Sequence, residues 1–206
     1  MSLNETSNRC HCTNGYNGLN CEKKDFEHSN ILTTSEMKDN LINLIQFNHS
    51  NTWTLIYQAT RDGFAASTFH SKCDNKPNTL SVIRSSNGNV FGGYTEQSWS
   101  GSHQVKTDLS AFIFSLINKQ NKPLKMKCSQ CQYAIVGNNH YGPIYGGDGG
   151  HDFYISDNSN TNTNSYSSLG HSYSHPDYAA GSNEAKSFLV GSNNFQVSEI
   201  EVYTKN

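Results

Sequence analysis

Residues able to do chemistry are plentiful in this chain, but few stand at the spacing that chemistry demands. Cys128-Ser129-Gln130-Cys131 is a CxxC. A thioredoxin-like use of it needs the pair to open a helix after a strand, in a βαβ setting. Tyr133-Ala134-Ile135-Val136 follows instead and reads as a strand, so the pair is expected to serve structural bridging. Zinc needs a second ligand pair at suitable spacing, and none is evident. A nucleophile elbow needs GxSxG; Gly101-Ser102 lacks the trailing glycine and Gly170-His171-Ser172 does not fit. Glycosidase chemistry needs two carboxyls facing across a cleft, and no spacing pairs Glu96, Asp108, Asp148, Asp152 or Asp157 in that way. No catalytic residue is assigned, and the chain is expected not to be an enzyme.

Two binding chemistries remain. Asp148, Asp152 and Asp157 lie in and beside the glycine-rich run Gly146-Gly147-Asp148-Gly149-Gly150, where oxygen ligands and inward-turned carbonyls suit calcium. The EF-hand pattern is absent, and the alternative is a turn capped by Asp side chains. Tyr94, Trp99, Tyr141, Tyr145, Tyr166, Tyr173 and Tyr178 sit among Asn, Ser and His. Aromatics with adaptable polar neighbours suit a glycan or a protein partner, here through the loops 137–150 and 157–182. The alternative is that about half of these rings cap the core with their hydroxyls outward. His70, His140, His151, His171 and His175 read as scattered surface histidines.

The elements that must position these residues follow from pattern. The chain has 206 residues and a net charge of −2, with no basic patch, so nucleic acid is not an expected partner. No apolar run approaches the about 20 residues of a membrane span, so direct insertion is not expected. Thr34 or Ser35 can cap a helix through Leu41, Ile42, Leu44 and Ile45. After residue 50 the period becomes two. Strands are expected at 53–59, 79–84, 89–94, 111–116, 133–136, 152–156 and 195–203, with Ser85-Ser86-Asn87-Gly88 as a hairpin turn and a brief helix over 63–69. Short strands with Asn/Gly turns argue for a mainly β fold, a two-sheet antiparallel sandwich with a few short helices.

At the front, Cys10-His11-Cys12-Thr13-Asn14-Gly15-Tyr16-Asn17-Gly18-Leu19-Asn20-Cys21 resembles the closing half of an EGF-like module. That resemblance implies a Cys12–Cys21 disulfide over a glycine turn, and an oxidising environment. It leaves Cys10, Cys73, Cys128 and Cys131. A bridge from Cys73 to Cys128 or Cys131 ties two distant strands, and Cys10 takes the remaining thiol or stays unpaired. The three earlier cysteines of such a module are missing, so the chain reads as cut from something longer, with Met1-Ser2-Leu3 an expression remnant. Asn4 and Asn48 stand in N-glycosylation sequons. The expected organisation is an EGF-like fragment over 1–24, a linker with a short helix over 25–50, and a sandwich over 51–206.

Several segments taken in order resemble the TLDc domain. They are Trp53 to Gly63 with Phe69, Thr79 to Arg84 with Gly88 to Tyr94, Ala111 to Leu116, Gly146 to Asp157, and Phe195 to Tyr203. The resemblance covers about 35–204 and implies the two-sheet sandwich. Well-known members are intracellular, linked to resistance to oxidative damage and to the vacuolar proton pump, and no catalytic residue carries over. The EGF-like leader and the Asn/Ser/Tyr-rich stretch 156–182 depart from those members. The expected function is therefore extracellular binding or adhesion, with calcium as candidate cation. A stress-protection or pump-regulating role is the alternative, and a hydrolase the second.

Overall fold

A computed structural model describes residues 16–17, 22–23, 25–47, 52–147 and 149–205. In chain order the elements are β1 (Tyr16–Asn17), β2 (Glu22–Lys23), α1 (Ser35–Ile45), β3 (Trp53–Gln58), α2 (Ala59–Asp62), α3 (Ala66–Cys73), β4 (Thr79–Ser85), β5 (Val90–Thr95), β6 (Ser102–Lys106), β7 (Phe112–Ile117), β8 (Leu124–Lys127), β9 (Ile135–Asn138), β10 (Tyr141–Tyr145), β11 (Phe153–Ser156), β12 (Ser165–Ser167), α4 (Asn183–Ser187), β13 (Asn194–Phe195) and β14 (Val197–Lys205). A 3-10 turn over Cys131–Tyr133 precedes β9. No helix among the described residues is long and apolar enough to cross a membrane.

Two antiparallel six-stranded sheets form a sandwich, ordered β3-β14-β4-β5-β7-β8 and β13-β12-β11-β10-β9-β6. The first sheet is covered on both faces, which its sequence records as near-continuous burial along β4, β5 and β7. Period two sorts the side chains. Ile83, Phe91, Ile113, Ile200 and Val202 face the second sheet, while Leu80, Val82, Phe112, Phe114 and Tyr203 face away. That outer face is closed by Phe26, Ile31, Leu32, Leu41 and Ile45. Of the span 25–50, expected as a linker with a short helix, the described residues 25–47 are thus a packed layer against the first sheet. Thr34 caps α1 by accepting from the Met37 N–H, and Gln46 ends it in the left-handed region at φ 53°.

The same layer is pinned by two buried carboxylates on β14. Glu201 accepts from Ser29 Oγ (2.5 Å), the Asn30 N–H (2.6 Å), Gln58 Nε2 (3.1 Å) and Tyr203 Oη (2.8 Å). Glu199 accepts from the Thr60 N–H (3.0 Å), the Thr60 hydroxyl and Asn30 Nδ2 (3.2 Å). Every donor is neutral, so removing one carboxylate orphans several at once. Glu201→Ala should lower unfolding free energy by about 3 kcal/mol and strip amide-exchange protection from residues 30–32 first. Unchanged protection there would contradict the pinning role.

Candidate functional site

The second sheet turns a row of aromatic rings outward. On β11, Phe153 and Ile155 point into the inter-sheet core, and Tyr154 between them points out. On β12, Tyr166 stands directly across from Tyr154, between the buried Ser165 and Ser167. Tyr141 opens β10. Ring centroids are 5.2 Å apart for Tyr141–Tyr154, edge-on, and 5.7 Å for Tyr154–Tyr166, near-parallel at 21°. The His151 ring meets Tyr154 edge-on at 5.7 Å. All four side chains are part-exposed. Burial, then the neighbouring Tyr141 and Tyr166 hydroxyls, pushes the Tyr154 phenol upward, so it stays a neutral donor. No charged side chain occurs in β10, β11 or β12.

Local chemistry holds the row in place. The turn before Tyr141 is gripped by His70 of α3, whose Nε2 reaches Asn138 O and Tyr141 O (3.0 Å each), while Nδ1 faces Asp74 Oδ1 (2.8 Å). The turn between β11 and β12 is built on Asn162, whose Oδ1 accepts from Ser156 Oγ (2.9 Å) and whose Nδ2 donates to Asp157 O and Asn158 O (2.9 Å each). His151 Nδ1 lies 2.7 Å from Gly146 O. Tyr141 and Tyr166 belong to the predicted binding set. Tyr154 and His151 were not in it, although the alternation Phe153-Tyr154-Ile155 carries the signal.

The remaining predicted binding aromatics lie elsewhere. Tyr94, Trp99, Tyr145 and Tyr173 are at most 1% exposed. Trp99 Nε1 donates to Thr79 Oγ1 (3.0 Å), and Tyr173 Oη to Ala134 O (2.9 Å). Trp99, Tyr145 and Tyr173 fill the core between the sheets, while Tyr94 packs in the outer layer against Phe47, Trp53 and Phe112. Tyr178 lies apart from the tyrosine row, stacked on His175 at 4.2 Å, with Phe188 meeting the same histidine edge-on at 4.4 Å. His70 and His175 are buried, contrary to the surface reading.

His175 gives a pH prediction. Its Nδ1 accepts from the Asp177 N–H (3.0 Å). A proton there would set donor against donor. Burial holds the imidazole below its ordinary value, with Asp177 raising it and Lys122 lowering it. A depressed folded pKa means stability present above the unfolded value near 6.5 and lost as pH falls through the folded one. Urea midpoints should fall from pH 7 to pH 5, and fall less in His175→Phe, which keeps a ring against both Tyr178 and Phe188. Parallel curves would remove the assignment.

The two described members of the calcium set, Asp152 and Asp157, are each bonded to backbone N–H groups in different places. Asp152 is fully buried, its Oδ1 accepting from the Gly170 and His171 N–H groups (2.9 and 3.1 Å) and its Oδ2 from those of Ser172 and Tyr173 (2.7 and 3.3 Å). Converging N–H dipoles favour an anion and repel a cation. Burial outweighs them and pushes the carboxyl up to about 6. Gly146, at φ 85°, leaves the room; a Cβ there would sit 2.3 Å from Asp152 Oδ2. Asp157 accepts from the Ala66 N–H in the first turn of α3 (2.7 Å) and from Asn158 Nδ2 (2.8 Å). Asp148 lies outside the described residues. Among those described, no three His, Cys, Asp or Glu side chains are placed to share a metal ion.

The cysteines also differ from expectation. Cys128 and Cys131 are bonded to each other, with Cα atoms 5.3 Å apart. Cys73 is free and buried in α3, its thiol pushed far up by burial. The expected long-range bridge from Cys73 does not form. The loop between Cys128 and Cys131 is tied instead to Ser172 O, by the Ser129 and Gln130 N–H groups (2.8 and 3.3 Å). Cys10, Cys12, Cys21, Asn4 and Asn48 lie outside the described residues; of the span 1–24 only β1 and β2, paired antiparallel, are described.

Residues 26–206 match the family model of the TLDc domain. The chain belongs to the TLDc family. Among curated proteins it is similar to zebrafish (Danio rerio) "MTOR-associated protein MEAK7", 26% identical over 73 residues. That match takes in 35% of this chain and 16% of the relative, so this TLDc chain corresponds to a small part of that protein. The family span begins at 26, where Phe26 enters the outer core layer, and it includes the whole of both large sheets.

Proposed function

We propose that this TLDc chain is a non-enzymatic binding module that works outside the cytosol, joined at 1–24 to the closing half of an EGF-like module. Its recognition surface is the Tyr141–Tyr154–Tyr166 row with His151, and its ligand is an uncharged glycan. The observation carrying this reading is the row itself: part-exposed rings, each within 5.7 Å of the next, on three strands that lack any charge. Sugars present C–H faces to aromatic rings and hydroxyls to amides and phenols. The exposed Asn194, across from Tyr166, supplies an amide beside the row. The Cys128–Cys131 bond and the cysteine-rich leader support an oxidising location. Calcium has no part in this reading, because Asp152 and Asp157 are committed to backbone N–H groups.

A glycan array probed with the intact chain tests it. Wild type should retain a defined glycan set with or without chelator, and Tyr154→Ala/Tyr166→Ala should bind it about tenfold more weakly, since each ring contact contributes on the order of 1 kcal/mol. An array that retains nothing, or retains both proteins alike, overturns the assignment. Cell-surface binding lost to protease but not to glycosidase would replace the glycan with a protein partner. Finding all six cysteines as free thiols in native material would move the chain to the cytosol and to the stress-protection or pump-regulating role of its relatives.

A further inference from the structure

On the far side of the sandwich from the tyrosine row lies a groove of about 340 Å³, between the end of α1 and the β7–β8 hairpin. Its floor is the aromatic pair Phe47 and Phe112, 6.2 Å apart. Its wall is Leu109, 85% exposed. That exposure is built in. Asp108 pins the turn by accepting from the Ser110 N–H (2.9 Å), Thr95 Oγ1 (2.7 Å) and the Glu96 N–H (2.7 Å), and its own N–H donates to Cys131 O (2.9 Å). A large aliphatic side chain held in water by a rigid turn is an interaction feature.

Cations surround this apolar floor. Lys125 Nζ lies 4.0 Å above the Phe112 ring and donates to Ile45 O (3.2 Å). Lys205 Nζ lies 4.6 Å from the Phe47 ring. Lys127 stands exposed on the same strand as Lys125. Among the described residues no ion pair involves any of the three. Burial, then Lys127, holds the Lys125 ammonium below its ordinary value, the expected state of a desolvated cation lacking an anion. β8, which carries Lys125 and Lys127, is the end strand of its sheet among the described residues; just past it Cys128 forms an isolated β-bridge with Tyr173, which leaves the stretch at Lys125 and Lys127 as the open part of that edge.

We propose that this groove binds an extended acidic–apolar peptide segment of a partner protein. The peptide lies along β8, its apolar side chain packs on Leu109 and Phe47, and its carboxylates meet Lys125 and Lys127. An end strand offers backbone hydrogen bonds to such a segment, and alternate side chains then fall on one face. The concave floor favours a peptide over the broad surface of an anionic membrane.

The test is panning of a random-peptide display library against the intact chain, counter-selected on Leu109→Ser/Lys125→Met. Both replaced side chains are exposed or part-exposed, so the variant should keep its fold, checked by its melting curve. Enriched peptides should place Asp or Glu beside a large apolar residue and bind the variant about tenfold more weakly. They should also slow amide exchange at Lys125 and Lys127. No enrichment, peptides without acids, equal binding to the variant, or equal binding of the chain to phosphatidylserine vesicles would each overturn the proposal.

Discussion

Asp152→Ala is expected to lower unfolding free energy by about 3 kcal/mol, because it takes the acceptor from the His171, Ser172 and Tyr173 N–H groups at once, while the Gly170 N–H keeps Tyr173 O (3.0 Å). Each such donor costs on the order of 1 kcal/mol or more. The relief of no longer burying a carboxylate offsets part of that sum. In a domain of this size the melting temperature should drop by roughly 10 °C. Asp152→Asn keeps the volume but sets an amide N–H₂ against N–H donors, and should lose about half as much. Amide exchange should localise the damage to residues 168–173, since the Ser168 N–H also donates to Asp152 O (2.9 Å). If both variants melt with wild type, the carboxylate is not the clamp described here.

Gly93→Ala should cost about 3 kcal/mol by overpacking. A Cβ at Gly93 would meet the Tyr145 ring at 2.6 Å and Phe112 O at 2.9 Å. The ring has nowhere to go, being wedged by Phe153 at 4.9 Å, Trp99 at 5.4 Å and Tyr173 at 6.1 Å. Tyr145→Ala alone should cost about 4 kcal/mol through the cavity it leaves. Combined, the two should fall short of their sum by more than about 1 kcal/mol, because the cavity accepts the new methyl. Strict additivity in chemical denaturation would show that Gly93 and Tyr145 do not share this space.

These two sites show what was readable and what was not. Thr79-Leu80-Ser81-Val82-Ile83-Arg84 and Asn89 to Tyr94 announced a hairpin through alternation and an Asn-Gly turn, and β4 and β5 form it. The two-sheet sandwich was readable for the same reason, since period and turn chemistry are local; the family was readable only through the resemblance of its ordered segments. β6, β8, β10 and β12 escaped, since short strands such as Ser165–Ser167 carry no apolar alternation of their own. They pair because a neighbour offers an edge.

The sequence alone determined the strand periodicity, the hairpin and the Thr34 cap, each set by contacts within a few residues. It also carried the ordered motif set of the family. Alternation along β11 sets Tyr154 on the face opposite Phe153 and Ile155, but tertiary structure decided which of the two faces meets water. Tyr145 and Tyr154 share a composition of neighbours, yet one lies in the core and the other on the outer face, because sheet register across β9 to β12 assigns the faces. It likewise paired Cys128 with Cys131, left Cys73 alone, and turned Asp152 from a candidate metal ligand into an acceptor for backbone N–H groups about 20 residues away. Long-range pairing is a property of where strands meet, and no local pattern encodes it.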